Sequence, residues 1–300
     1  MKTFFAITVA VAASICLNYS LYLQKIAVDA LPRVKLKLSW ALVRSFITNI
    51  PWLKAQGFNV LGFALYMTAL AFAPVSIVEP IIAAGVALLA YLAIRNLGER
   101  PGRLDMYAIA GSILGVILLG VSLAEGLPED QLHDPLELWA FAAAAVLLSV
   151  VVPLVMRRRG ESSLGTGLGV SAGLLMGIAA VFSRLLMGNF SGKWYLWIVA
   201  CIATYLPGFI VLQAALQRGM AVVVAPVYNG LMEFVPILVG MIALNERFPD
   251  SFALSVIRVI AFVIILACTV ILSRRAEETD GDGGGKEAGG AECATRDGAF

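Results

Sequence analysis

The chain has 300 residues, of which 60% are hydrophobic and 14% charged, and its formal net charge is +2. A water-soluble domain of this length carries nearly twice that charged fraction, so the composition excludes one. Mean hydropathy is +0.88, and the apolar residues form blocks about 20 long, enough to cross a ~30 Å hydrocarbon core as helices. These features predict an all-α polytopic membrane protein.

The N-terminal apolar stretch predicts the first membrane span, at residues 3–28. Small residues near Ala13 could pass for a signal-peptide cleavage site, but the stretch continues to Val28. That is too long for the apolar core of a secretory signal, so we expect the segment to be retained.

The next apolar run, residues 38–52, is short for a crossing and is interrupted by Arg44, Asn49 and Pro51. An interfacial helix is therefore expected there, as the degraded form of a tenth span. Whether this run crosses the membrane is left open.

Eight further apolar blocks complete about nine predicted transmembrane helices. They are residues 56–73, 75–95, 105–123, 137–156, 163–188, 194–216, 221–244 and 252–272.

The block at 75–95 carries a carboxylate and a proline near its start, Glu79 and Pro80. A proline in a helix frees a backbone carbonyl, which at membrane depth is tolerated mainly beside protein or a water-filled cavity. A carboxylate at such depth must pair, bind a cation or take up a proton. Because no basic partner is evident nearby, Glu79 is the first candidate for a metal or proton site.

The sixth span carries glycines every four residues, at Gly165, Gly169, Gly173 and Gly177. This spacing leaves a bare stripe on one helix face, which lets a neighbouring helix approach closely. Static packing and a sliding surface between two halves of the protein are both compatible with it.

The span at 221–244 repeats the proline and carboxylate chemistry. Its candidates for substrate or ion binding are Pro226, Tyr228, Asn229 and Glu233. A structural ion pair between Glu233 and Arg258 is the alternative to a binding role for that glutamate.

Two stretches share one pattern. Val78-Glu79-Pro80 is followed by an apolar run and Gly98-Glu99-Arg100, and Val224-Ala225-Pro226 by an apolar run and Asn245-Glu246-Arg247, with one inserted residue. This predicts two repeats, at residues 1–135 and 136–275.

Lysine and arginine alternate between loops, with basic residues around Lys35, Arg100, Arg158, Arg218 and Arg274. The positive-inside rule then places the N-terminus outside and the C-terminus in the cytoplasm. Matching landmarks fall on opposite sides of the membrane, so the repeats are inverted. Residues 276–300, rich in Gly, Asp and Glu, predict a disordered cytoplasmic tail.

On these motifs the chain resembles the drug/metabolite transporter superfamily, with its EamA-like fold of two inverted five-helix halves. The Gly/Asn-Glu-Arg helix ends carry the resemblance. Residues 58–74 and 221–228 are most similar to the NIPA-type branch, whose eukaryotic members are linked to Mg²⁺ transport. One departure is Glu79, where a neutral residue is expected in that family.

The resemblance implies a secondary transporter that works by alternating access, and the intramembrane carboxylate favours Mg²⁺ or another divalent cation as cargo. A proton-coupled exporter of a small organic metabolite or drug, and a non-transporting membrane scaffold, remain alternatives. Enzymatic motifs are absent from the sequence, so neither catalysis nor a cofactor is expected. The expected partners are the lipid bilayer of a cytoplasmic or inner (plasma) membrane and a cation or small-molecule substrate. No nucleic acid is expected, and a homodimer is left open.

Overall fold

The computed structural model describes residues 2–31, 40–72, 75–122, 135–188, 194–243 and 251–272, which are helical and contain no strand. The helices in chain order are α1 (Lys2–Asp29), α2 (Trp40–Ile47), α3 (Ile50–Phe72), α4 (Val75–Ala84), α5 (Val86–Asn96), α6 (Arg103–Ser122), α7 (Pro135–Met156), α8 (Glu161–Gly188), α9 (Trp194–Arg218), α10 (Ala221–Ala243) and α11 (Phe252–Leu272).

Eight of these helices are long and apolar enough to cross a membrane, and α4 with α5 supplies a further apolar segment. Large apolar side chains such as Val60, Leu147 and Val199 are exposed on the outside of the bundle. In water this surface would be unfavourable, but lipid tails solvate it. The prediction of an all-α polytopic membrane protein is confirmed, and each predicted span has a helical counterpart.

Of the segment between α1 and α3, the structure describes residues 30–31 and 40–49, and their one helix is short. At eight residues and about 1.5 Å per residue, α2 is far too short to span the bilayer. Asn49 then caps the start of α3, because its side-chain oxygen accepts the backbone N–H of Trp52 at 2.9 Å. Pro51 lies in the first turn of α3, where its missing N–H costs nothing. The span expected at 56–73 therefore begins at Ile50.

The span expected at 75–95 is two helices, separated by a turn at Gly85. In a continuous α-helix the Gly85 N–H would bond to the Ile81 carbonyl. Here it bonds to the Ile82 carbonyl at 3.1 Å, and the Ser14 hydroxyl donates to the Ile81 carbonyl at 2.9 Å. Gly85 itself keeps helical backbone angles, φ −65° and ψ −19°, so the helix tightens by one hydrogen bond here while Ser14 of α1 bonds to the Ile81 carbonyl.

Two helices lie at the centre of the bundle. The long helices differ in how much of their most apolar stretch is buried. In α8, 83% of the residues in this stretch are buried within the protein, and in α10 67% are, against 17–44% in the other long helices. α1 packs mainly on α3 and also on α4 and α5, while α8 packs mainly on α9 and α10. α8 and α10 therefore form the buried core of the bundle.

The glycine stripe of α8 faces α10 and, at Gly165, the turn between α9 and α10. A Cβ added at Gly165 would lie 2.4 Å from the backbone nitrogen of Gly219, and one at Gly173 would lie 2.7 Å from Cβ of Leu231. At Gly177 the nearest atom would be Cβ of Val235 at 2.7 Å, whereas at Gly169 it would be a Val224 methyl at 3.3 Å. The missing side chains let α8 lie directly against its neighbours.

Candidate functional site

Glu99 is positioned by the way α5 ends. Gly98 adopts a positive φ of 68°, a conformation that glycine reaches without steric cost. The chain turns there, and the Glu99 N–H folds back to the Ala93 carbonyl at 3.3 Å. The Glu99 side chain is consequently directed away from α5 and toward α10.

The Glu99 carboxylate binds the first turn of α10. Its Oε1 accepts the N–H of Ala221 at 2.7 Å and its Oε2 accepts the N–H of Val222 at 2.9 Å. These N–H groups have no partner within their own helix, and the helix dipole places partial positive charge beside them. Residues 122 positions apart are thereby joined by charge-assisted hydrogen bonds.

The turn between α9 and α10 is held from its other side by α1. The Lys25 ammonium donates to the carbonyls of Leu216 at 2.6 Å and Gly219 at 3.1 Å, and it pairs with Asp29 at 3.0 Å. Gln217 adds a bond from its side-chain amide to the Val28 carbonyl at 2.9 Å. We call Glu99, Lys25 and Gln217 with the backbone they bind the α9–α10 clamp.

Burial raises the pKa of the Glu99 carboxyl above its usual 4.5, and the charge of Asp29 adds to the increase. The N–H groups of Val222 and Ala221 and the charge of Lys25 lower this pKa, but by less. The folded state therefore binds this proton more tightly than the unfolded state does. Its contribution to stability is present below pH 4.5 and is lost as pH rises through the folded-state pKa.

We predict that the free energy of unfolding of the wild type, relative to that of Glu99→Gln, decreases as pH rises from 4 toward 7. The glutamine variant lacks the titrating group, so it serves as the reference. Denaturant unfolding of both proteins in the same detergent across this range measures the difference. A difference that stays constant or grows with pH would contradict the assignment.

A second polar chain crosses the interior between α1, α3 and α9. The Gln24 amide donates to Ser20 Oγ at 2.9 Å, and the Gln213 amide donates to Gln24 Oε1 at 2.7 Å. The Trp52 indole donates to Gln213 Oε1 at 3.2 Å. Each of these side chains is hydrogen-bonded to another member of the chain, which suits a structural role between helices.

The predicted site residues of α10 lie on the central helix of the bundle. Pro226 and Tyr228 are buried, and Asn229 and Glu233 are half-buried. The Tyr228 hydroxyl donates to Met176 Sδ on α8 at 3.2 Å, so in this structure the hydroxyl contacts another helix. The assignment of these four residues to a substrate site stays a prediction.

Arg258, the alternative partner of Glu233, is buried on α11. Its guanidinium donates to the Ser122 carbonyl at 3.0 Å and to the Ser122 hydroxyl at 3.3 Å. Arg258 thus binds the C-terminal end of α6, where a cation complements the helix dipole.

Glu79 and Pro80 belong to α4, and their side chains lie outside the described part of the structure. So does Glu246, the predicted counterpart of Glu99. Where side chains are described, His, Cys, Asp and Glu form no group of three that could hold a metal ion. Mg²⁺ does not require such a group, because it commonly keeps several waters and uses one or two carboxylates.

Comparison with known proteins gives three curated relatives, all from Arabidopsis thaliana. A probable magnesium transporter, NIPA9, is 27% identical over 283 residues, which is 89% of this chain and 81% of the relative. The probable magnesium transporters NIPA4 and NIPA6 are 24% and 22% identical and cover 79% and 90% of this chain.

No protein-family model matches the chain, and no solved structure matches it significantly. Over most of its length the chain is therefore similar to NIPA-type magnesium transporters.

Proposed function

We propose that the protein is a secondary transporter that moves Mg²⁺, or another divalent cation, across the membrane by alternating access. The observation that carries this proposal is the similarity to three proteins named as probable magnesium transporters, over 79–90% of the chain. The polytopic helical fold and the intramembrane carboxylate Glu79 are consistent with it.

We further propose that the chain has the inverted repeat of the EamA-like fold. α1 packs on α3, α4 and α5 as α8 packs on α9 and α10, which supports pairing α1 with α8. The helix missing from the first half would then be the counterpart of α7. This assignment differs from the expectation that the degraded helix lies at residues 38–52.

The orientation derived from the basic loops places the α9–α10 clamp at the cytoplasmic side. Glu99 comes from the first half, and the turn that it binds comes from the second half. In an alternating-access cycle the halves must separate on one side at a time. The clamp would therefore hold the cytoplasmic side closed, with Pro80, Pro226 and Glu79 shaping the site beneath it.

Flux into proteoliposomes that enclose a Mg²⁺-sensitive dye tests the cargo. We expect Mg²⁺ uptake that saturates with concentration and exceeds that of protein-free vesicles. If flux of an organic substrate follows a pH gradient and no divalent cation moves, the protein is a proton-coupled exporter and the proposal fails. Folded, reconstituted protein that moves neither class of solute would favour a scaffold.

A further inference from the structure

The break between α4 and α5 is filled by polar side chains from α1. A Cβ added at Gly85 would lie 2.1 Å from the Ser14 hydroxyl oxygen and 2.4 Å from the Asn18 amide nitrogen. Both side chains are buried, at 4% and 3% exposure. Asn18 and Ser14 therefore occupy the space that any side chain at position 85 would take.

Three hydrogen-bond donors in this cluster have partners within it. The Ser14 hydroxyl is directed at the carbonyls of Ile81 and Ile82, at 2.9 and 3.1 Å. The Asn18 amide nitrogen donates to the Ser14 carbonyl at 3.0 Å, and the Gly85 N–H donates to Ile82. Asn18 Oδ1 is fully buried and accepts no hydrogen bond from the protein.

A buried acceptor without a partner costs roughly 1–3 kcal/mol, and α4 ends here. The Ile81 carbonyl, which the Gly85 N–H does not use, adds a second oxygen with partial negative charge. Unwound or irregular backbone carbonyls within membrane helices are a known way of coordinating Na⁺.

The fold itself does not require this polar group. Under the proposed repeat, which equates Pro80 with Pro226, Gly85 corresponds to Leu231 in the unbroken α10. There the leucine side chain fills the space, and a Cβ at Gly173 of α8 would lie 2.7 Å from its Cβ. The second half solves the same packing problem with apolar atoms alone.

We propose that Ser14 Oγ, Asn18 Oδ1 and the Ile81 carbonyl bind a monovalent cation of the size of Na⁺ at the α4–α5 break. These ligands are neutral, whereas Mg²⁺ dehydrates reluctantly and is bound through carboxylates. The proposal extends the proposed transport function, since an ion bound at the break would be the coupling ion. Its occupancy would then set the angle between α4 and α5.

The test is thermal unfolding of the full-length protein in detergent, with NaCl, KCl, choline chloride or MgCl₂ at matched ionic strength. A ligand that binds only the folded state stabilises it. We expect saturating Na⁺ to raise the unfolding midpoint by at least about 3 °C above that in choline. No Na⁺-specific increase, or an increase produced by Mg²⁺ alone, would overturn the proposal.

Two variants identify the site. Asn18→Leu removes the unpartnered acceptor, so it should fold without Na⁺ and lose the Na⁺-dependent increase. Ser171→Ala is the control, because that buried α8 hydroxyl donates to the Ser149 carbonyl at 2.7 Å, away from the break. It should retain the increase. A full Na⁺ response in Asn18→Leu, or its loss in Ser171→Ala, would refute the assignment to this cluster.

The outcome is distinguishable from that of the proposed function. Mg²⁺ flux without a Na⁺-specific thermal response would leave transport standing and remove the sodium site. A Na⁺ response that depends on Asn18, in a protein that carries no Mg²⁺, would keep the site and remove the proposed cargo.

Discussion

Replacing Gly165 with alanine is expected to lower the unfolding midpoint by roughly 6–12 °C. The added Cβ would lie 2.4 Å from the Gly219 nitrogen, 2.6 Å from its Cα and 2.8 Å from the Arg218 carbonyl carbon. All three are backbone atoms of a turn held by Lys25 and Glu99. The turn cannot yield without breaking those bonds, so α8 must move away from α9 and α10.

Gly169→Ala is the matched control on the same stripe. Its Cβ would approach a Val224 methyl group at 3.3 Å, which a small side-chain adjustment relieves. The gain in helix propensity, about 0.5–1 kcal/mol, acts in both variants. Thermal unfolding of the two proteins in one detergent compares them. Equal midpoints would mean that α8 does not meet the α9–α10 turn as the structure places it.

Replacing Glu99 with glutamine is expected to increase hydrogen exchange of the Ala221 and Val222 amides by about 10- to 100-fold. The neutral amide cannot accept two N–H groups as the carboxylate does, and its own NH₂ would face one of them. The clamp should open more often while the rest of the bundle stays folded.

Glu161→Gln is the matched control for Glu99→Gln. Glu161 lies near the same turn, with Oε2 3.8 Å from Nε of Arg218, but its side chain is 59% exposed. An exposed ion pair contributes little to stability, so exchange at Ala221 should be unchanged. Exchange mass spectrometry of peptides covering the turn measures both variants. A similar increase in the two would show that Glu99 has no special role.

The number and order of the spans were predictable because a lipid environment imposes long apolar blocks on the sequence. The α4–α5 break was not, since it depends on Ser14 reaching a carbonyl 67 positions away. Gly85 alone does not distinguish a break from a packing glycine.

The clamp shows a similar limit. The sequence motif around Glu99 marked a helix end, but its partners are backbone N–H groups, which carry no sequence signal. From the sequence, Lys25 is one more basic residue beside the first loop and reads only as an orientation charge, yet it is buried and binds two carbonyls. A basic residue next to an apolar block looks the same in both roles.

The most direct test of the proposed transport mechanism is Mg²⁺ uptake by proteoliposomes of the wild type and of Glu79→Gln, reconstituted at equal density and orientation. We expect saturable uptake in the wild type and none above protein-free vesicles in the variant, with both proteins unfolding at similar temperatures. Retained Mg²⁺ flux in Glu79→Gln would remove this carboxylate from the mechanism. No flux in a folded wild type would contradict divalent-cation transport itself.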